Sequence, residues 1–333
     1  MTRSKLYYTR DYYKPLDYPW AVEACKKQKS MHWLPEEVPM KEDISDWKLK
    51  LTPEEKNLLT QIFRFFTQGD LDVAAGYIDR YMKVFKNPDI RIMMATFVDM
   101  EVTHVLAYSY LLDTVGMPET EYKAFMDYEA MKDKHEYIEN NVELKPYMDG
   151  TYATADVLKS IAIYSAFTEG MQLFSSFAIL LNFTRFGKMK GMGQIVTWSI
   201  KDEQLHVDSM IKVFQTLVQD NLELWKSSVG DEIRGEIYET CRQMVDLEDR
   251  FIDLAFEQGG IQGLTKEEVK QYIRYIADRR LLQLGLKTNY GVKDNPLPWL
   301  ADMLNSVEHG NFFETRVTEY AKGKMTGQWP WEG

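Results

Sequence analysis

The chain has 333 residues, a formal net charge of −11 and a hydrophobic content of 45%. That length suffices for a large buried core, and the acidic balance excludes the basic footprint of a nucleic-acid or anionic-membrane binder. The two cysteines, Cys25 and Cys241, stand in neither metal-ligand nor redox spacing, which suits a reducing cytoplasm.

The N-terminal MTRSKLYYTRDYYKPLDYPW contains no apolar run of the signal-peptide kind. TPEE at 52–55 offers an N-cap Thr, a Pro at the first helical position and a Glu three residues on. It predicts a helix from Thr52 to about Phe85, ended by NP at 87–88. Further helices are expected over about 89–114, stopped by GMP, over 119–140, and over 154–182. The apolar stretch FSSFAILL (174–181) within the last of these is too short to cross a bilayer. GKMKGMG (187–193) reads as a helix connection, followed by helices over about 193–219, 231–257 and 265–284. No strand pairs emerge. The expected architecture is an all-α bundle of around ten helices: an N-terminal extension over 1–51, a helical domain over 52–310 and a flexible tail over 311–333.

Of the five histidines, two are preceded by a Glu three residues earlier, in E101-V-T-H104 and E203-Q-L-H206. Three residues advance a helix by about 300°, so each Glu and His share a face one turn apart and can grip one metal or an adjacent pair. A single such match is common on solvated helices. Two of them on apolar helices fit a dimetal-carboxylate bundle, which also requires one carboxylate from each of two further helices. Glu169, in IAIYSAFTEGMQLFSSFAILL, is the only acid between Asp156 and Asp202. Its apolar setting demands neutralisation or a bound cation. Asp70 and Asp72 in FRFFTQGDLDVAAGY both qualify as the fourth carboxylate, and pattern does not choose between them. The likeness of FTQGD and FTEGM would align Gln68, not an acid, with Glu169. Hard oxygen donors with one imidazole per metal suit iron or manganese. Tyr108, seven residues after Glu101, returns to within roughly 20° of the Glu direction. It can reach a metal ligand, although a Tyr on an apolar helix usually serves as core.

With these motifs in view, the chain resembles the small, radical-generating subunit of class I ribonucleotide reductase over nearly its whole length. GKMKGMGQIVTWSIKDEQLH (187–206), NPLPW (295–299) and NFFETRVTEY (311–320) read like that family as well. The resemblance implies a ferritin-like dimetal-carboxylate bundle with additional helices, and a metal set of Asp70, Glu101, His104, Glu169, Glu203 and His206. It thereby selects Asp70 over Asp72. It implies a stable radical at Tyr108, sheltered by apolar neighbours such as Leu173 and Phe177. Trp33 would be an electron relay coupled through Asp202 to His104, and Tyr320 a tail residue passing the radical onward. The implied cofactor is two iron ions forming a di-iron-oxo centre, with manganese–iron or dimanganese pairs as variants. The implied partners are dioxygen, the large (alpha) subunit that binds the nucleotide, and a second copy of the chain, in the cytoplasm. Competing expectations are another ferritin-like dimetal oxidase, such as a ligand-binding oxidase or a desaturase, and a non-enzymatic iron-binding bundle.

Overall fold

Thr52 opens the first long helix through a reciprocal cap. Its hydroxyl accepts the Glu55 N–H at 3.2 Å, and the Glu55 carboxylate accepts the Thr52 N–H at 3.0 Å. In the computed structural model, which describes residues 4–304 apart from 142, 143 and 149, two α-helices precede this cap. They are α1 (Pro19–Ser30) and α2 (Lys41–Ser45), the latter continuing as a π-helical turn over Asp46–Lys50. The capped helix, α3, runs as Pro53–Gly76, loosens into a π-helical turn at Tyr77–Tyr81 and ends with Met82–Val84. α4 follows as Pro88–Val115, capped by the Asn87 side chain and closed by Gly116 in the left-handed region (φ 77°).

The single helix expected over 119–140 is a correction. Two 3-10 turns, Glu119–Tyr122 and Ala124–Asp127, precede α5 (Glu129–Asn141), because Pro118 and Tyr128 both take extended backbone. Arg64 of α3 holds these turns by donating to Glu121 at 2.5 Å and to the Tyr128 hydroxyl at 2.7 Å.

α6 is continuous from Thr154 to Arg185, but its middle, Ala162–Gln172, is π-helical. No residue pattern in the sequence marks this widening. Arg280, buried on a later helix, donates from Nε to the Gly170 carbonyl at 2.7 Å, within the widened turn. α7 spans Lys190–Asp220 and begins three residues earlier than expected. Asp43 of α2 explains this: its carboxylate accepts the N–H groups of Gly191 and Met192, each at 2.8 Å, and so caps the helix from outside. A Cβ on Gly191 would stand 2.8 Å from that carboxylate, so the contact requires glycine. The remaining helices are α8 (Leu222–Trp225), α9 (Ser228–Ala255) and α10 (Lys266–Gln283).

α3 packs along α4, α1 lies on α4, and α7 packs on the π-helical part of α6, so the core lies between these long helices. Among the described residues the only β feature is an isolated bridge, Ile261 to Leu264. No helix among them is long and apolar enough to cross a membrane. Residues 297–304 belong to a separate unit and are helical over 298–304. Tyr320 and the expected tail over 311–333 lie outside the described residues.

Candidate metal centre

Four helices point acidic and imidazole side chains at one buried point. α3 supplies Asp70, α4 supplies Glu101 and His104, the π-helical stretch of α6 supplies Glu169, and α7 supplies Glu203 and His206. None of the six is more than 1% exposed. Ligand atoms of Asp70, Glu101, His104 and Glu203 all lie within 4.8 Å of one another. His206 Nδ1 stands 2.7 Å from Glu101 Oε1, and His104 Nδ1 stands 3.4 Å from Glu101 Oε2 and 3.2 Å from Glu203 Oε1. Glu101 thus lies between the two imidazoles, whose ring centres are 6.4 Å apart. Glu169 is outside the tight group of four. Its Oε2 accepts the Tyr77 hydroxyl at 3.1 Å, and the Tyr77 ring packs edge-on to His206. Asp72 turns away and pairs with His135 at 2.8 Å.

The outer nitrogens of both imidazoles are engaged. His104 Nε2 lies 3.1 Å from Asp202 Oδ2, and His206 Nε2 lies 3.0 Å from Gln28 Oε1. Gln28 also donates to Asp202 Oδ1 at 2.7 Å, and Trp33 donates its indole N–H to Asp202 Oδ2 at 2.9 Å. Gln28, Asp202 and Trp33 form one hydrogen-bonded strap behind the cluster. It aims both Nδ1 atoms inward, the usual way outer partners orient metal-bound histidines. Trp33 also stacks on His104 (6.0 Å) and packs against Trp198 (5.2 Å).

On the inner side, Asp70 Oδ2, both Glu101 oxygens, Glu169 Oε1, Glu203 Oε2 and both Nδ1 atoms lack a hydrogen-bond partner. Buried polar atoms are rarely left unmatched, and here seven converge on one spot. Burial pushes the Asp70 and Glu169 carboxyls well up. Burial would also raise Glu101, but the His104 and His206 imidazoles close beside it outweigh that and bring the carboxyl down to about 2. Burial alone would lower His104. Asp202, Glu101 and Glu203 together raise it well above the usual histidine range.

Tyr108, 1% exposed, donates from its hydroxyl to Ser199 Oγ at 3.1 Å. Its ring meets Phe66 edge-on at 4.5 Å, and Phe66 in turn packs on Phe177 at 5.3 Å. Phe177 therefore reaches Tyr108 through Phe66, while Leu173 packs toward Gly69. Burial pushes the Tyr108 phenol well above its usual range.

Gln28, Tyr77, Ser199 and Phe66 join the site without having stood out in the sequence. Ser199 sits one turn before Glu203 on the same face. Gln28 continues the buried stripe of Ala21 and Cys25 on α1, where a polar residue is the detectable anomaly.

The family model for the small chain of ribonucleotide reductase matches residues 10–296. The probable ribonucleoside-diphosphate reductase small subunit of Invertebrate iridescent virus 3 is 45% identical over 98% of this chain and 88% of its own length. Its counterpart from Invertebrate iridescent virus 6 is 43% identical over 96% of both chains. The crystal structure of a putative class I ribonucleotide reductase from Bacillus halodurans superposes with a TM-score of 0.76 at 26% identity, covering 85% of this chain and 99% of that one.

Fold and site together define a ferritin-like helical protein with a buried carboxylate–histidine cluster able to bind metal. The chain belongs to the ribonucleotide reductase small-chain family, whose members are subunits of an oxidoreductase.

Proposed function

We propose that this chain is the radical-generating small subunit of a ribonucleoside-diphosphate reductase, holding two metal ions and a stable radical at Tyr108. The observation that carries the reading is the convergence of seven unpartnered ligand atoms in a closed site. The donor set fits the group: four carboxylates balance two divalent ions, and oxygen donors with one imidazole per metal suit iron or manganese. Asp70, Glu101, His104, Glu169, Glu203 and His206 would hold the two ions. Two iron ions are the reading preferred here, and a manganese–iron or dimanganese pair fits the same donors. When bound, such a pair supplies the reduction of dioxygen and, from it, one-electron oxidising power.

The chain's own residues do the rest. Asp202 and Gln28 fix the tautomer and aim of the two imidazoles. Trp33, in contact with both His104 and Asp202, relays an electron inward. Tyr108 gives up its hydroxyl hydrogen and is left as a neutral phenoxyl, which Phe66 and Phe177 shield from water and reductants. The radical equivalent then passes by way of Trp33 and the tail residue Tyr320 to the large subunit, which binds and reduces the ribonucleotide. A second copy of the chain completes the assembly, and exposed apolar side chains such as Val102 and Leu106 on α4 and Leu71 and Ile78 on α3 are open to such contact. Buried free Cys25 and Cys241 fit a reducing cytoplasm.

A desaturase-type oxidase would need a substrate tunnel beside the ligands. The cavity bordering Gly69, Val73, Thr168 and Leu173 has a volume of only ≈ 20 Å³, room for about one water. Elemental analysis after loading tests the reading, with two metal ions per chain expected. Nucleotide reduction should then require an added large subunit. Failure to bind iron or manganese at all, or reduction by this chain alone, overturns it.

A further inference from the structure

Tyr77 stands to Asp70 as Tyr108 stands to Glu101. Each phenol follows a proposed ligand by seven residues, two helical turns on, and returns to nearly the same face. Both are buried, but their surroundings differ. The Tyr108 hydroxyl donates to a serine. The Tyr77 hydroxyl donates directly to the Glu169 carboxylate at 3.1 Å, and its ring lies 6.4 Å from that of His206.

The neighbours differ as well. Tyr108 packs on Phe66, backed by Phe177, rings that a tyrosyl radical does not oxidise. Tyr77 packs edge-on to Tyr81 at 6.1 Å and Tyr164 at 6.5 Å, and those two meet at 5.7 Å. The cluster is built by close approach. A Cβ on Gly76 would lie 2.0 Å from the Tyr164 hydroxyl oxygen, so glycine there admits Tyr164 against α3. Tyr164 carries the Arg80 guanidinium over its ring at 5.5 Å, and Arg80 borders a surface cavity of ≈ 400 Å³ with Gln68, Asp72 and His135. The tyrosine cluster, all three rings buried, therefore leads from Glu169 toward Arg80, on a path separate from Trp33.

We propose that Tyr77 is a second oxidisable phenol of this centre, forming a short-lived radical where Tyr108 forms a stable one. The inference rests on the dimetal reading above. In the step, the Tyr77 O–H bond breaks. Its proton crosses the hydrogen bond to Glu169 Oε2, and its electron goes to the dioxygen-derived oxidant of the metal centre, which is reduced by one electron. A neutral phenoxyl remains on Tyr77. Contact with two further phenols makes that radical short-lived, whereas a phenylalanine enclosure preserves the one at Tyr108.

The test is rapid freeze-quench EPR on the full chain, loaded with Fe(II) and mixed with dioxygen, in parallel with ring-deuterated tyrosine to identify the spin carrier. Wild type should give the stable signal. Tyr108→Phe should lose it and show a transient tyrosyl signal whose splitting collapses on deuteration. That transient should vanish in Tyr108→Phe/Tyr77→Phe and persist in Tyr108→Phe/Tyr81→Phe, with iron content measured for each sample. Wild-type radical with no transient tyrosyl signal in Tyr108→Phe overturns the inference alone. So does a transient that survives in the iron-loaded Tyr77 double variant, or one lost only in step with lost iron, which would make Tyr77 a positioning residue for Glu169. Absence of any radical in iron-loaded wild type removes the underlying reading as well.

Discussion

Trp33 and His104 meet on a single oxygen atom. Asp202 Oδ2 accepts the indole N–H of Trp33 at 2.9 Å and lies 3.1 Å from His104 Nε2, while Oδ1 of the same carboxylate accepts Gln28 at 2.7 Å. One buried carboxylate thus joins a loop aromatic, a proposed ligand on α4 and a residue of α1. Asp202→Asn keeps the shape but cannot accept on both sides without turning an amide N–H toward a donor. We expect metal affinity to fall by about 10–100-fold, and the radical yield per bound metal to fall with the broken link to Trp33. Metal titration and spin quantification on the same samples check this. Unchanged yield per metal would remove Asp202 from the electron path.

Gln28 makes the matching contact on the other side, with Oε1 3.0 Å from His206 Nε2. Gln28→Leu fills similar space but leaves His206 Nε2 and Asp202 Oδ1 each short of a partner. The expected cost is about 1–3 kcal/mol in stability, with about 10–100-fold weaker metal binding. Denaturant unfolding of the metal-free variant and competition with a chelator measure the two separately.

Much of this centre was legible in the sequence. Two Glu–His pairs at helical spacing and an isolated Glu169 are patterns that only a buried cation explains cheaply, and the structure brings all of them together with Asp70. The choice of Asp70 over Asp72 was not a matter of pattern. It depends on how α3 is rotated, with Asp72 facing His135 at 2.8 Å. The π-helical turns of α3 and α6 were also illegible, because they arise from tertiary contacts such as Arg280 on the Gly170 carbonyl. α1 was overlooked because its apolar stripe is short and interrupted by Gln28, the position where it serves the site. Tyr77 could have been found. The spacing that singled out Tyr108 applies equally to it.

Metal loading should release protons. In the metal-free protein, burial raises the Asp70 and Glu169 carboxyls and so favours their protonated forms, and against its burial the carboxylates Asp202, Glu101 and Glu203 favour the His104 imidazolium. A group with a raised folded-state pKa stabilises the metal-free fold below its ordinary pKa, and loses that effect as pH rises through the raised value. Metal must displace those protons, so its affinity should strengthen with rising pH. Calorimetry in buffers of different ionisation enthalpy should show net proton release at neutral pH. Proton uptake, or no change, would contradict this account of the empty site.

A second buried charge pair sits apart from the metal centre. Lys134 Nζ lies 2.6 Å from Glu248 Oε2, with both side chains no more than 1% exposed, and the ammonium is flanked by the Phe65 and Phe251 rings at 4.4 and 4.3 Å. Lys134→Met strands a buried carboxylate and should cost about 3–5 kcal/mol, whereas Lys134→Met/Glu248→Leu should recover most of that loss. A double-mutant cycle by denaturant unfolding decides. Additive losses would show that the pair contributes no coupling.

The most direct test of the central claim is the EPR spectrum of the chain reconstituted with Fe(II) and dioxygen, recorded minutes after mixing beside its iron content. The account predicts a stable tyrosyl doublet in the wild type, absent from Tyr108→Phe at equal iron loading. A stable doublet that survives in Tyr108→Phe, or an iron-loaded wild type with no radical, would contradict it.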